Sequence, residues 1–86
     1  MNVRIVSTDE VLWAGKASSV VVPSIDGDLG ILPGRQPILA VLRAGKARVT
    51  AEDGAVQSFD IVAGFVSCND DEIEVVVDNT GEGFGD

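Results

Sequence analysis

The chain has no histidine and no tyrosine, one cysteine (Cys68), one tryptophan (Trp13), three prolines and no basic residue after position 48. Without imidazole, Ser-His and Cys-His nucleophile pairs and imidazole-ligated metals are absent by inventory, which weighs against an enzyme. A single cysteine excludes an internal disulfide and any multi-thiolate metal site, and Cys68 reads as a small apolar side chain on a strand. No apolar run approaches the roughly 18 residues that cross a bilayer. The first residues also lack the basic-then-apolar order of a signal peptide, so a cytoplasmic, unprocessed protein is expected.

What is present points to one small folded domain. Of the 86 residues, 45% are hydrophobic, the mean hydropathy is +0.27 and the net charge is -8. A chain this short buries only about 60 to 65% of its unfolded surface, so a partner would add to a thin stability margin. All six basic residues lie within positions 1 to 48 beside four acids, whereas positions 49 to 86 hold ten acids and no base, giving halves of +2 and -10. Nucleic-acid binding needs clustered cations, and an anionic leaflet repels the acidic half, so neither nucleic acid nor direct membrane insertion is expected.

Short Val- and Ile-rich segments separated by turn residues every eight to twelve positions predict an all-β sandwich or barrel. The strands expected are Val3 to Ser7, Val11 to Ala14 (ending at Gly15), Ser18 to Val22 (ending at Pro23), Leu29 to Leu32, Ala47 to Ala51, Val56 to Ile61, Gly64 to Cys68 and Ile73 to Val77. Glu52-Asp53-Gly54 and Asn69-Asp70-Asp71-Glu72 suit hairpin turns, because these residues tolerate positive φ. The segment Pro37 to Ala44 is ambiguous, since Ile38, Val41 and Leu42 also fit one helical face. Gly15-Lys16-Ala17 and Gly45-Lys46-Ala47 are too short to count as a repeat. The tail from Asp78 to Asp86 alternates glycine with acids and is expected to be disordered.

Candidate chemistry is sparse. Gly81-x-Gly83-x-Gly85 has no strand-turn-helix setting and no phosphate loop occurs, so no nucleotide site is expected. Asp26-Gly27-Asp28 lacks the twelve-residue ligand ladder of a calcium loop, and Asp70, Asp71 and Glu72 read as a solvated turn rather than an acid-base pair. Trp13, Phe59 and Phe65 read as core filler. The segment Leu29, Ile31 and Leu32, at a glycine-punctuated turn flanked by Asp28 and Arg35, stands out. A preformed loop on a rigid sheet is where a protein-binding surface tends to sit.

That segment, Pro23-x-x-x-Gly27-x-x-Gly30-x-Leu32-Pro33-Gly34-Arg35-x-Pro37, resembles the signature of the epsilon subunit of the rotary F-type ATP synthase, with Arg35 standing where the family has histidine. Further likeness is carried by Ile5-Val6-Ser7 with Glu10-Val11-Leu12-Trp13-Ala14-Gly15, by Leu42-Arg43-Ala44-Gly45, by Ala63-Gly64-Phe65-Val66 and by Ile73-Glu74-Val75-Val76-Val77-Asp78. The resemblance implies a flattened sandwich of about ten short strands in two sheets over residues 1–80, with a flexible Gly/acidic tail at 81–86 and Pro37 to Ala44 as strand.

It also implies a non-catalytic central-stalk subunit that bridges the gamma subunit and the c-ring, at the cytoplasmic face of the bacterial plasma membrane and without a cofactor. By position, the ring-facing turn falls on Gly27, Asp28, Leu29 and Gly30, with Arg35 beside it, and Ser7 and Ala40 fall where the family faces gamma. Asp28 is then expected to meet a basic residue on the ring. Arg35 replaces a titratable group with a permanent cation, which alters the charge logic of that contact. The family usually continues into a carboxy-terminal helical hairpin that binds ATP in some members; this chain stops at Asp86, so the hairpin and its autoinhibition are expected to be absent. Two alternatives from other classes are a lipoyl- or biotinyl-type carrier domain, with Lys16 or Lys46 as the acceptor, and a free-standing sandwich that binds a regulatory ligand.

Overall fold

Apolar residues at every second position, most of them β-branched, favour the pleated conformation and put one face of each strand against a common core. The computed structural model describes residues 1–34 and 37–78, and among these it contains eight strands and no helix. They are β1 (Asn2–Val6), β2 (Val11–Ser24), β3 (Gly27–Ile31), β4 (Ile38–Leu42), β5 (Gly45–Ala51), β6 (Val56–Ile61), β7 (Ala63–Asn69) and β8 (Glu72–Asp78). The expected tail at 81–86 lies outside the described residues.

The strands are hydrogen-bonded in the order β1-β8-β7-β4-β2-β5-β6, with β3 added to β2 and β1 also paired to β2. Fourteen residues make β2 long enough to serve both layers. Its first half pairs with β1, its middle with β5 and its last five residues with β3. One layer is therefore β2-β1-β8-β7-β4 and the other β3-β2-β5-β6, within a body whose shortest dimension is 19 Å. Two sheets packed about 10 Å apart, with side chains on both outer faces, fit that thickness.

The all-β sandwich read from the sequence is the fold observed, although the described strands number eight rather than about ten. The two strands expected on either side of Gly15 to Ala17 are one. The strand runs through Gly15, over which the Trp13 indole lies, so a Cβ there would sit 3.4 Å from the ring. It also runs past Pro23, because the β2–β5 register ends at Val21 and Arg48 and no β5 carbonyl needs the missing donor. Pro37 to Ala44 resolves to strand β4, paired with β7 from Ile38 opposite Cys68 to Leu42 opposite Gly64.

The core is formed by the inward positions of every strand, among them Val3 and Ile5, Val20 and Val22, Ile31, Val49, Val66 and Cys68, and Ile73, Val75 and Val77. Trp13 and Phe59 pack against it as expected. Among the described residues no buried side-chain nitrogen or oxygen lacks a partner, as a stable interior requires. The two turns named from sequence form. Asp70 and Asp71 adopt φ of 51° and 67°, the left-handed pair of a two-residue hairpin, and Gly54 has φ 94° with its N–H donated to Ala51 O at 2.9 Å.

Candidate functional site

Two regions of the surface differ from the solvated remainder. The first is an outward row that crosses five strands. Strand alternation that turns Val66 and Cys68 inward must turn Phe65 outward, and Phe65 is 42% exposed. This corrects its reading as core filler. Its partners across the ladder are Val41 on β4 and Val76 on β8, Val76 pairs with Val6 on β1, and Val6 pairs with Val11 on β2. The result is a continuous line Val41-Phe65-Val76-Val6-Val11, spanning four interstrand steps or about 19 Å. Leu39, two positions along β4 on the same face, is 73% exposed and widens the row. Isolated exposed apolar residues are ordinary, but a contiguous set rimmed by charge marks an interaction surface.

The row ends beside the two positions assigned from family resemblance to gamma. Ser7 follows Val6 directly and closes the β1–β2 turn: its N–H donates to Glu10 O at 2.8 Å, and its hydroxyl accepts from Asp9 N–H at 3.4 Å. Ala40 lies between Leu39 and Val41, but its methyl points inward on the same face as its partner Val66 and packs against the core. The outward side chains at that end of the row are those of its two neighbours. The sequence alone does not point them outward, because Ile38, Val41 and Leu42 fit one helical face as well as a strand, and it is pairing with β7 that leaves Val41 56% exposed.

Further along the same face the row gives way to charge. An open hollow of about 460 Å³ is bordered by Asn2, Arg4, Lys16, Glu72 and Glu74. Arg4 Nη1 lies 3.4 Å from Glu74 Oε2, and Asn2 Nδ2 donates to Glu72 Oε2 at 2.7 Å. These two pairs answer one another across β1 and β8.

The second region is the β2–β3 hairpin, whose tip adjoins β4 through Ile25 N–H donating to Val41 O at 3.0 Å. Ser24, nearly buried, closes it: its hydroxyl donates to Gly27 O at 2.6 Å and accepts from Asp26 N–H at 3.2 Å. Gly27 has φ 122°, which explains glycine at this position. The residues named as a turn, Gly27, Asp28, Leu29 and Gly30, are the first four of strand β3, and the tip is Ile25-Asp26. Asp28 is exposed, Leu29 packs partly against the core, and exposed Ile25 and Leu32 flank the strand. Arg35 lies outside the described residues.

Neither lysine occupies the hairpin tip that a carrier domain presents. Lys16 is mid-strand in β2, and Lys46 on β5 is held to Asp60 Oδ1 at 2.7 Å. Among the described residues no three potential metal ligands cluster, and no helix is long and apolar enough to cross a membrane.

Comparison with known proteins agrees with this architecture. The family model described as "ATP synthase, Delta/Epsilon chain, beta-sandwich domain" matches residues 1–82. The ATP synthase epsilon chain of Micrococcus luteus is 40% identical over 86 residues, covering 100% of this chain and 92% of that one. Those of Streptomyces griseus and Nostoc sp. are 32% and 37% identical over 91% and 95% of this chain. The chain spans 63% and 60% of the length of these two relatives. Among solved structures, a chain of the Euglena gracilis mitochondrial ATP synthase OSCP/F1/c-ring assembly superposes with a TM-score of 0.81 at 21% identity, covering 87% of this chain and 48% of that one. A chain of the Tetrahymena thermophila mitochondrial ATP synthase central stalk/c-ring gives 0.76 at 18% identity, covering 91% and 63%. At these identities the structural likeness speaks to the fold.

Proposed function

The chain belongs to the delta/epsilon-chain β-sandwich family of ATP synthase, and from that premise we propose that it is a non-catalytic subunit of the central stalk of an F-type ATP synthase. It docks the gamma subunit onto the c-ring and so couples proton-driven rotation to ATP synthesis. It works at the membrane as a peripheral part of that complex, on the cytoplasmic face of the bacterial plasma membrane. Relatives named as ATP synthase epsilon chains, and fold neighbours taken from central stalk and c-ring assemblies, support this reading.

The observation that carries it is the pairing of two unlike contact regions on one sandwich, an apolar row and a polar hairpin, adjoining where Ile25 N–H donates to Val41 O at 3.0 Å. The apolar row Val41-Phe65-Val76-Val6-Val11, with Leu39 and the Ser7 turn at its ends, suits a stable protein interface and is assigned to gamma. Ala40 takes part through its strand, whose outward side chains flank it. The β2–β3 hairpin, with Gly27, Asp28, Leu29 and Gly30 and with Arg35 following in sequence, is assigned to the ring. A small body gripped at both places transmits torque without performing chemistry, in keeping with a chain that has no histidine.

Asp28→Lys tests the ring assignment. The residue is exposed on an edge strand and its 3.9 Å ion pair with Arg43 is solvent-screened, so the substitution should change stability by no more than about 1 kcal/mol. Placing a cation against a basic ring loop should weaken docking about tenfold or more. In inverted membrane vesicles, protons pumped per ATP hydrolysed should fall while hydrolysis persists. A wild-type ratio would mean that this hairpin does not face the ring.

A further inference from the structure

Arg43 belongs to the two-residue connection between β4 and β5, yet most of its polar groups serve the β2–β3 hairpin. Its backbone N–H donates to Pro23 O at 2.8 Å. Its Nε donates to Ser24 O at 3.0 Å, and its Nη2 lies 3.9 Å from Asp28 Oδ1. The remaining arm, Nη1, donates to Ala44 O at 3.4 Å, which ties the guanidinium back to its own loop. One planar group therefore touches both strands of the hairpin, β2 at Ser24 and β3 at Asp28.

The hairpin needs such a hold. Among the described residues β3 pairs in the sheet with β2 alone, the tip adds one bond from Ile25 N–H to Val41 O at 3.0 Å, and the hairpin contains two glycines and a proline that cannot donate. The ion pair by itself contributes little, because both side chains are more than half exposed. The bond from Nε to a backbone carbonyl is different in kind: it is charge-assisted and directional, and it fixes the plane in which the second nitrogen meets the carboxylate.

From this geometry we propose that Arg43 is a positioning residue, fixing the β2–β3 hairpin and presenting the Asp28 carboxylate in the orientation that docking uses. This rests on the reading of the hairpin as ring-facing. Asp28 stays three-quarters exposed beside Arg43, so its outer edge remains open to a partner cation. Arg43 thus adds a side-chain hold to the seam where the hairpin already meets β4, through Ile25 N–H donating to Val41 O at 3.0 Å.

Two measurements on different samples test it. In the free chain, Arg43→Ala should speed amide hydrogen exchange at Gly27 and Leu29 about fivefold, with Val49 and Val75 in the core unchanged. Arg43→Lys keeps the charge but has one nitrogen in place of a fork, so it should resemble the alanine variant. Unchanged hairpin exchange in Arg43→Ala, or full rescue by lysine, would overturn the positioning role. In the assembled synthase, Arg43→Ala should lower the coupling ratio about threefold, and should add nothing in an Asp28→Asn background, because it acts through that carboxylate. Independent, multiplying losses would overturn it. A wild-type ratio in Asp28→Asn alone would instead overturn the ring-facing reading, a failure distinguishable from that of Arg43 by the exchange data.

Discussion

Replacing Gly64 with alanine should lower the melting temperature by about 12 °C or more, the largest single effect on stability expected from one methyl group in this chain. Gly64 is the second residue of β7, the strand between β4 and β8, and has φ 154°. A Cβ there would overlap the Val76 carbonyl oxygen and sit 2.9 Å from Val77 Cα. Both are backbone of the adjacent strand, so no rotamer change relieves the clash and the β7–β8 ladder itself must part. Overpacking of this kind together with an unfavourable φ costs about 3 kcal/mol or more. A domain of this length has roughly 4 to 13 kcal/mol of total stability, so the loss takes a large share. Thermal unfolding followed by circular dichroism checks it, with Gly15→Ala as the control. Gly15 shares the positive φ, at 158°, but there the added methyl meets only the Trp13 ring at 3.4 Å, so a smaller shift is expected and the difference reports the backbone clash. Equal shifts at the two sites would mean that strand contact is not what requires glycine at position 64.

The second large effect concerns binding. Phe65→Glu puts a charge at the centre of the apolar row, flanked by Val41 and Val76. Phe65 faces outward and contributes little to the core, so folding should survive. Losing an aromatic anchor at an interface centre costs about 2 kcal/mol, and burying an unpaired carboxylate there adds more, so affinity for gamma should fall roughly a hundredfold. Titration of purified gamma against wild-type and variant chains measures this. Retained affinity would show that gamma binds elsewhere, and Leu39→Glu, at the edge of the same face, should give a smaller loss.

The fold was legible because its signals are local. The alternation of Ile73, Val75 and Val77 with Glu74 and Val76 specifies which face of β8 is buried, and Asn69-Asp70-Asp71-Glu72 specifies the turn before it. Two features depended on partners that no short window reveals. Gly15 and Pro23 look like strand ends, yet β2 passes both, because Trp13 covers the glycine and the proline lies beyond the pairing with β5. Pro37 to Ala44 fits two periodicities, and its pairing with β7 decides between them.

The two regions proposed as contact surfaces differ in how far the sequence displays them. The glycines and prolines of the β2–β3 hairpin mark it because they are demanded by backbone geometry, which a sequence displays directly. The apolar row is less visible, since Val41, Phe65, Val76, Val6 and Val11 are scattered over 71 positions from Val6 to Val76 and come together only through strand order and register. Phe65 in particular carries the composition of a core residue, and only the inward direction of Val66 and Cys68 reveals which way it points. Arg43 was hidden for the same reason: its hydrogen-bond partner Ser24 lies 19 residues away.

The central claim is that this sandwich links gamma to the c-ring, and affinity capture of the tagged chain from solubilised membranes tests it most directly. Gamma and c subunits should both be recovered with the wild-type chain, with gamma selectively depleted by Phe65→Glu. Recovery of neither with the wild-type chain would contradict the account.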